Sequence, residues 1–315
     1  MRKLRKPYSG VRRRRAADRV EDGGGRHGWQ AARAGRLTLL RAASMAELPW
    51  LVHAFSTRTG GVSRLGDARV LNLGPVEWDS DEAVAENRRI FLHAVGAGRA
   101  SLVTLRQRHT DTIHRVDSRP HAPLRGDALI TREPGLLLAV QTADCVPILL
   151  ADRRRRVVAA VHAGWRGTLA RITEKTLGRM RMEFDTRAED VVAVLGPAIG
   201  RCCYEVGPEV AQAFAAQFAD ARDWFEGPFD RLASGDDPAP FPWLSMTPPG
   251  HEAPAPRVRL DLRAANRSQL ERGGVPAAHI LSSTLCTSCR TDLLFSHRRE
   301  HGRTGRLMAL IGIRA

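Results

Sequence analysis

Residues 142–167 read Thr142-Ala143-Asp144-Cys145-Val146-Pro147-Ile148-Leu149-Leu150, then Ala151-Asp152-Arg153-Arg154-Arg155-Arg156, then Val157-Val158-Ala159-Ala160-Val161-His162-Ala163-Gly164-Trp165-Arg166-Gly167. Two apolar runs of strand length flank a polar turn, which predicts an antiparallel hairpin. A loop over Asp152–Arg155 sets Cys145 directly opposite His162 on one face of the pair. Such partners have Cβ atoms about 4.5–5.5 Å apart. At that separation a thiolate and an imidazole can share a zinc ion, at about 2.3 and 2.0 Å. The same closeness suits a Cys–His nucleophile pair, and a buried Cys beside an ordinary core His is the third reading. A further ligand discriminates among them. The best placed candidate is His109, in Leu105-Arg106-Gln107-Arg108-His109-Thr110-Asp111, at a turn that follows a predicted strand. Two His and one Cys leave the fourth position of a zinc open, as in catalytic rather than structural sites.

Outward from the hairpin, strands are predicted at 101–105, 128–131, 136–140, 146–150, 157–161, 191–195, 257–262 and 307–313. Helices are predicted at 80–95, 168–182, 208–218 and 262–272, where apolar residues recur near a 3.6 period. Several neighbouring strands are joined by loops too short for a helical crossover, so the expected fold is α+β with mixed sheets.

The 315-residue chain carries 49 Lys and Arg against 34 Asp and Glu, a net charge of +15. Twelve of those cations but only three acids fall within residues 1–36, beside Gly23-Gly24-Gly25, so most of the excess charge belongs to that segment. We read 1–36 as a disordered basic tail, because its composition does not offset its ordering entropy. Residues 37–315 are then one domain, with a Pro-rich insertion near 225–256. The body gives no reason to expect specific nucleic-acid binding. No apolar run reaches the roughly 18 residues that cross a bilayer. The N-terminus lacks the apolar stretch of a signal peptide, and five cysteines in a chain of this size fit a reducing compartment. A cytoplasmic address with no membrane partner is expected.

A wider set of motifs surrounds the hairpin. It comprises Phe55-Ser56-Thr57-Arg58-Thr59-Gly60-Gly61-Val62-Ser63, Leu71-Asn72-Leu73-Gly74, Asn87-Arg88, Gln107-Arg108-His109, Gly196-Pro197-Ala198-Ile199-Gly200, Cys203-Tyr204-Glu205-Val206, Phe295-Ser296-His297-Arg298-Arg299 and Thr304-Gly305-Arg306. In this order, and spanning about residues 50 to 313, the set closely resembles the YfiH family. That family is variously called laccase-domain protein, peptidoglycan editing factor and purine nucleoside phosphorylase. The resemblance implies a YfiH-like four-layer α/β/β/α domain with mixed sheets, and a zinc held by two His and one Cys, here His109, His162 and Cys145. One departure is local: the family usually reads Gln-Val-His-Gly at the first ligand, whereas this chain has Gln107-Arg108-His109-Thr110.

Other residues carry open alternatives. Asp144 either fixes the tautomer of a metal histidine or caps a loop. Arg58 and Arg166 are candidates to clamp a phosphate bidentately, and Asn72 to contact a ribose or base; the alternative for each is a structural tie. Cys202-Cys203 and Cys286-x-x-Cys289 offer four thiols for a second zinc site, but adjacent cysteines are poorly disposed for a tetrahedron, and a buried thiol cluster is the simpler account. His297, His301, Arg298, Arg299, Arg303 and Arg306 form a basic patch that either attracts an anionic substrate or is an ordinary solvated face.

The resemblance implies a zinc-dependent purine nucleoside phosphorylase acting on adenosine, inosine, guanosine or methylthioadenosine, with adenosine deamination as a second activity. Its catalytic set would be Cys145, His109, His162, Arg166 and Asp144, with Arg58, Asn72 and Arg166 binding a small-molecule nucleoside and phosphate. Alternatives are an amidase that removes a misincorporated amino acid from a peptidoglycan precursor, a copper-dependent phenol oxidase, and a non-enzymatic zinc-stabilised binding module. The oxidase ranks lowest of the enzymes, because none of the eleven His forms the H-x-H pair common in multicopper oxidases. Copper in vitro is nevertheless expected to enter such a site, since it outcompetes zinc for nitrogen and sulfur ligands.

Overall fold

The computed structural model describes residues 28–234 and 257–315. Among these, twelve strands make two six-stranded sheets. They are β1 Trp29–Ala34, β2 Leu37–Ala42, β3 Leu51–Ser56, β4 Ser101–Val103, β5 Ile113–Arg115, β6 Ala128–Thr131, β7 Leu136–Thr142, β8 Val146–Asp152, β9 Val157–Ala163, β10 Val191–Leu195, β11 Ile280–Ser282 and β12 Leu307–Ile313. The principal helices are α1 Asp81–Ala94, α2 Trp165–Leu169, α3 Ile172–Phe184, α4 Pro208–Gln217 and α5 Leu262–Arg272. The first sheet has the order β1-β2-β3-β12-β7-β4 and the second β11-β10-β8-β9-β6-β5. Most pairs are antiparallel; β7–β4, β6–β5 and β10–β11 are parallel, so both sheets are mixed as expected.

Alternation along the central strands divides their side chains between cores. In β8 and β9, Ile148, Leu150, Ala159 and Val161 face Ile172, Leu177, Met180, Phe214 and Leu270 of the helices, whereas Leu149, Ala151, Val158 and Ala160 face the first sheet. There they meet Phe55, Leu138, Val140, Ala309 and Ile311. The opposite face of the first sheet, with Leu39, Ala54, Leu137 and Leu310, packs on Phe91 of α1. Strands covered on both faces need apolar residues at every position, and all seven residues of β8 and of β9 are buried.

Three expectations change. First, β1 occupies part of the segment read as tail: Trp29 is buried against Phe55 at a centroid distance of 5.1 Å, and β1 pairs with β2 over six residues. Its Ala- and Arg-rich sequence hides a strand whose order comes from one aromatic anchor and a neighbouring strand. The rest of the expected tail, 1–27, and residues 235–256 of the expected insertion lie outside the described residues. Second, the hairpin loop spans 153–156, one position later than expected, and His162 pairs with Pro147. The Asp152 carboxylate accepts the amides of Arg154 and Arg155, both at 2.9 Å, and Arg156 takes φ 52°, so Asp152 closes the strand instead of starting the turn. Third, the helix expected over 168–182 is broken into α2 and α3 by Arg171, at φ 60°.

Candidate metal centre

The inter-sheet core ends in a cavity of about 650 Å³ at the ends of β7 and β9. His162 shares the face of Val158 and Ala160 and is buried there. Cys145 lies two positions before Pro147, the partner of His162, so the corrected register keeps it on that face as a diagonal neighbour. His109 arrives from the turn after Leu105–Arg106 with φ 59°. The donor atoms of His109, Cys145 and His162 lie within 4.8 Å of one another, with Cys145 Sγ 3.8 Å from His109 Nε2. Zinc–ligand bonds of 2.0–2.3 Å at tetrahedral angles put N and S about 3.5 Å apart, so the set fits one ion. Gly164 makes the approach possible: a Cβ there would stand 2.9 Å from His109 Cδ2 and 3.0 Å from Cys145 Sγ.

Asp127, fully buried, holds the centre in shape. Its carboxylate accepts the amides of Arg108, His109 and Thr110 at 2.7–3.1 Å and the Thr110 hydroxyl at 2.8 Å. It also takes His162 Nδ1 at 2.8 Å, which leaves Nε2 for a metal. Thr110, where the family usually has Gly, therefore adds a bond; the left-handed residue of the turn is His109. Burial opposes charge on Asp127, but the His162 and Thr110 hydrogen bonds hold its carboxyl well below the usual carboxylate range. Burial also opposes the Cys145 thiolate, yet His162 and His109 bring the thiol down to about 6. On His162, burial is overcome by the Cys145 thiolate and Asp127, which raise it to about 9. An anionic sulfur with two imidazoles is a donor set for zinc.

The cavity wall carries Arg88, Arg106, Arg166, Arg298 and Arg306. Arg166 lies over the Trp165 ring at 4.2 Å, and Arg298 donates to the Glu205 carbonyl at 2.9 Å while lying over Tyr204. Burial lowers the pKa of Arg88 and of Arg306, the direction expected for cations in a recess. Burial pushes the Tyr204 phenol up, so it stays a donor.

Two expected binding residues are elsewhere. Arg58 donates to the Thr291 carbonyl at 2.7 Å, pairs with Glu300 at 2.9 Å and lies over Phe295, and it does not line the cavity. Asn72 is buried, donating to the Gly74 carbonyl and Asp79 and accepting the Arg306 amide at 2.9 Å; it braces the loop that carries Arg306. Asp144 reaches the cavity wall, but its oxygens accept the Thr287 hydroxyl at 2.6 Å and the Arg298 amide at 2.7 Å, so it ties loops together. The histidine-orienting carboxylate is Asp127, a residue that sequence reasoning missed. Its only local signal is an Asp placed after Gly126 at the head of a buried strand.

Several known proteins are similar to this chain over most of its length. The chain is 34% identical over 279 residues to a purine nucleoside phosphorylase of Bacteroides thetaiotaomicron, covering 86% of this chain and 94% of that one. It is 34% identical over 264 residues to adenosine deaminase RL5 of an unknown prokaryotic organism, covering 81% and 91%. The crystal structure of the hypothetical protein YfiH of Bacillus licheniformis superposes with a TM-score of 0.73 at 31% identity, over 89% of this chain and 97% of that one. A family model described as multi-copper polyphenol oxidoreductase laccase matches residues 52–314, and the chain belongs to that family, the one that includes YfiH.

Proposed function

We propose that the protein is a zinc-dependent purine nucleoside phosphorylase that also deaminates adenosine. The observation that carries this reading is an open two-His, one-Cys donor set in a cavity whose wall bears five arginines. In phosphorolysis a phosphate oxygen forms the new bond to C1′ of the sugar, while the C1′–N9 electrons leave with the purine, which takes up a proton. Arg166, with Arg298 and Arg306, supplies the guanidinium groups that hold the phosphate against the sugar. Tyr204 stays protonated and offers a hydroxyl donor in the same cavity. Asp127 keeps the His162 ring in one orientation and tautomer. Zinc, when bound by His109, Cys145 and His162, supplies a Lewis acid of the kind that deamination requires.

The relatives named purine nucleoside phosphorylase and adenosine deaminase support the two activities. Against a multicopper oxidase stands the ligand count: among the described residues His109, Cys145 and His162 are the one histidine-bearing group of three or more metal donors. The test incubates adenosine or inosine with and without phosphate, using protein of measured metal content and Cys145→Ala in parallel. Free base and pentose 1-phosphate should appear only with phosphate and vanish in Cys145→Ala. Equal base release without phosphate overturns phosphorolysis, and bound zinc with no nucleoside turnover moves the assignment to the peptidoglycan-precursor amidase.

A further inference from the structure

Away from the cavity centre, two loops bring four cysteines together. Cys202 and Cys203 lie in the turn after β10, and Cys286 and Cys289 in the segment after β11. All four are free thiols whose Sγ atoms lie within 4.8 Å of one another. Cys289 Sγ is 3.7 Å from Cys202 Sγ and 3.4 Å from Cys203 Sγ. Adjacency does not prevent this convergence. The amides of Cys203 and Tyr204 both bond to the Gly200 carbonyl, at 2.9 and 3.0 Å, and the tight turn aims both side chains at Cys289. The buried-cluster expectation fails as well, since Cys202 and Cys289 are exposed.

We propose that Cys202, Cys203, Cys286 and Cys289 form a second metal site, holding one structural zinc ion as a closed tetrathiolate. Zinc–sulfur bonds near 2.3 Å make the edge of such a tetrahedron about 3.8 Å. The 3.7 and 3.4 Å separations lie at and just under that edge and are far longer than the roughly 2.05 Å of a disulfide. A two-iron cluster sets its cysteine pairs apart along the iron–iron vector and needs a wider cage. The Gly200 amide donates to Cys286 Sγ at 3.1 Å, the kind of bond that stabilises and orients a metal-bound thiolate. Four protein ligands leave no open position, so this ion does no chemistry.

Its effect is on the cavity wall. Cys203 precedes Tyr204, and Cys286 precedes Thr287, whose hydroxyl bonds to Asp144 beside Cys145. Ala198 bridges Cys286, and the Thr287 amide bonds to the Ala198 carbonyl at 3.1 Å. A zinc at the four sulfurs would lock together the two loops that bring Tyr204 and Arg298 to the cavity.

This inference is independent of the nucleoside reading, and its test reads metal rather than turnover. Full-length protein, gel-filtered through chelator, is analysed by plasma mass spectrometry. Wild type should retain two zinc per chain, Cys145→Ala one, and the double variant Cys202→Ser/Cys289→Ser one. These two serines replace exposed side chains, and circular dichroism checks the fold. In Cys145→Ala, Co2+ exchanged into the remaining site should show the charge-transfer and d–d bands of a tetrathiolate. Those bands should be lost when the two serines are added. A single zinc in wild type that disappears in Cys145→Ala overturns the proposal, as does iron at the four cysteines or a disulfide among them by intact-mass analysis.

Discussion

At Gly164 there is no room for a methyl group beside the candidate metal centre. Alanine there would press on both His109 and Cys145, and neither can retreat while holding a shared ion. Gly164→Ala should cost about 1–3 kcal/mol of stability and abolish metal binding at this centre, checked by urea unfolding and metal analysis. Asp127→Asn keeps the volume but removes the charge that orients His162 and gathers three amides. Metal affinity should fall about 10–100-fold in competition with a chromophoric chelator, with the far-ultraviolet spectrum retained. His53 is a residue-scale switch of another kind. It is buried, accepts the Ala42 amide at 3.0 Å, and its pKa is lowered by burial and by Arg41 from 6.5 to about 4. Above pH 6.5 neither folded nor unfolded His53 is charged. As pH falls from 6.5 towards 4 only the unfolded chain takes the proton, so folding stability falls by up to about 3 kcal/mol. His53→Gln should flatten that part of the urea-midpoint profile; an unchanged slope would refute the assignment.

At the scale of elements, β1 shows how a strand escapes composition-based reading. Trp-Gln-Ala-Ala-Arg-Ala lacks β-branched residues and sits in basic sequence, yet Trp29 closes the inter-sheet core beside Phe55. Trp29→Ala should therefore cost about 3–5 kcal/mol, measured by denaturant unfolding, whereas a surface position of an appendage would cost almost nothing. The β8–β9 hairpin teaches the complementary lesson. Its two strands are plain in the apolar runs, but the turn lies one position later than the runs suggest, which slides the pairing by two residues, because the Asp152 side chain bonds to two amides and sets the turn. A shift of two residues preserves the alternation of side chains, so Cys145 and His162 still share one face.

The whole molecule decides which arginines matter. Arg88 comes from α1 on the first sheet, Arg166 from α2 on the second, and Arg298 and Arg306 from the segment before β12. They converge only because the two sheets stack and their ends part over the metal centre. Arg298→Ala should raise the KM for phosphate by roughly 10–100-fold, the loss of one charge-assisted contact. Arg58→Ala should leave that KM alone and lower Tm, because Arg58 ties the 291–300 segment to β3's exit. The reverse outcome in steady-state kinetics would restore Arg58 as the binding residue. No helix among the described residues is long and apolar enough to cross a membrane.

Local pattern determined the central strands and the placement of Cys145 and His162 on one face of a hairpin, because a strand's periodicity and a hairpin's closeness are properties of neighbouring residues; His109 lies 36 positions from Cys145 and joins the pair only in the fold. Tertiary structure alone decided the rest. Asp127 meets His162 across 35 positions, and Thr287 meets Asp144 across 143. The four cysteines likewise meet only when the ends of β10 and β11 are brought side by side. Contacts of that range leave no periodic trace in a single chain, since they depend on how two sheets pack and where their loops are obliged to close.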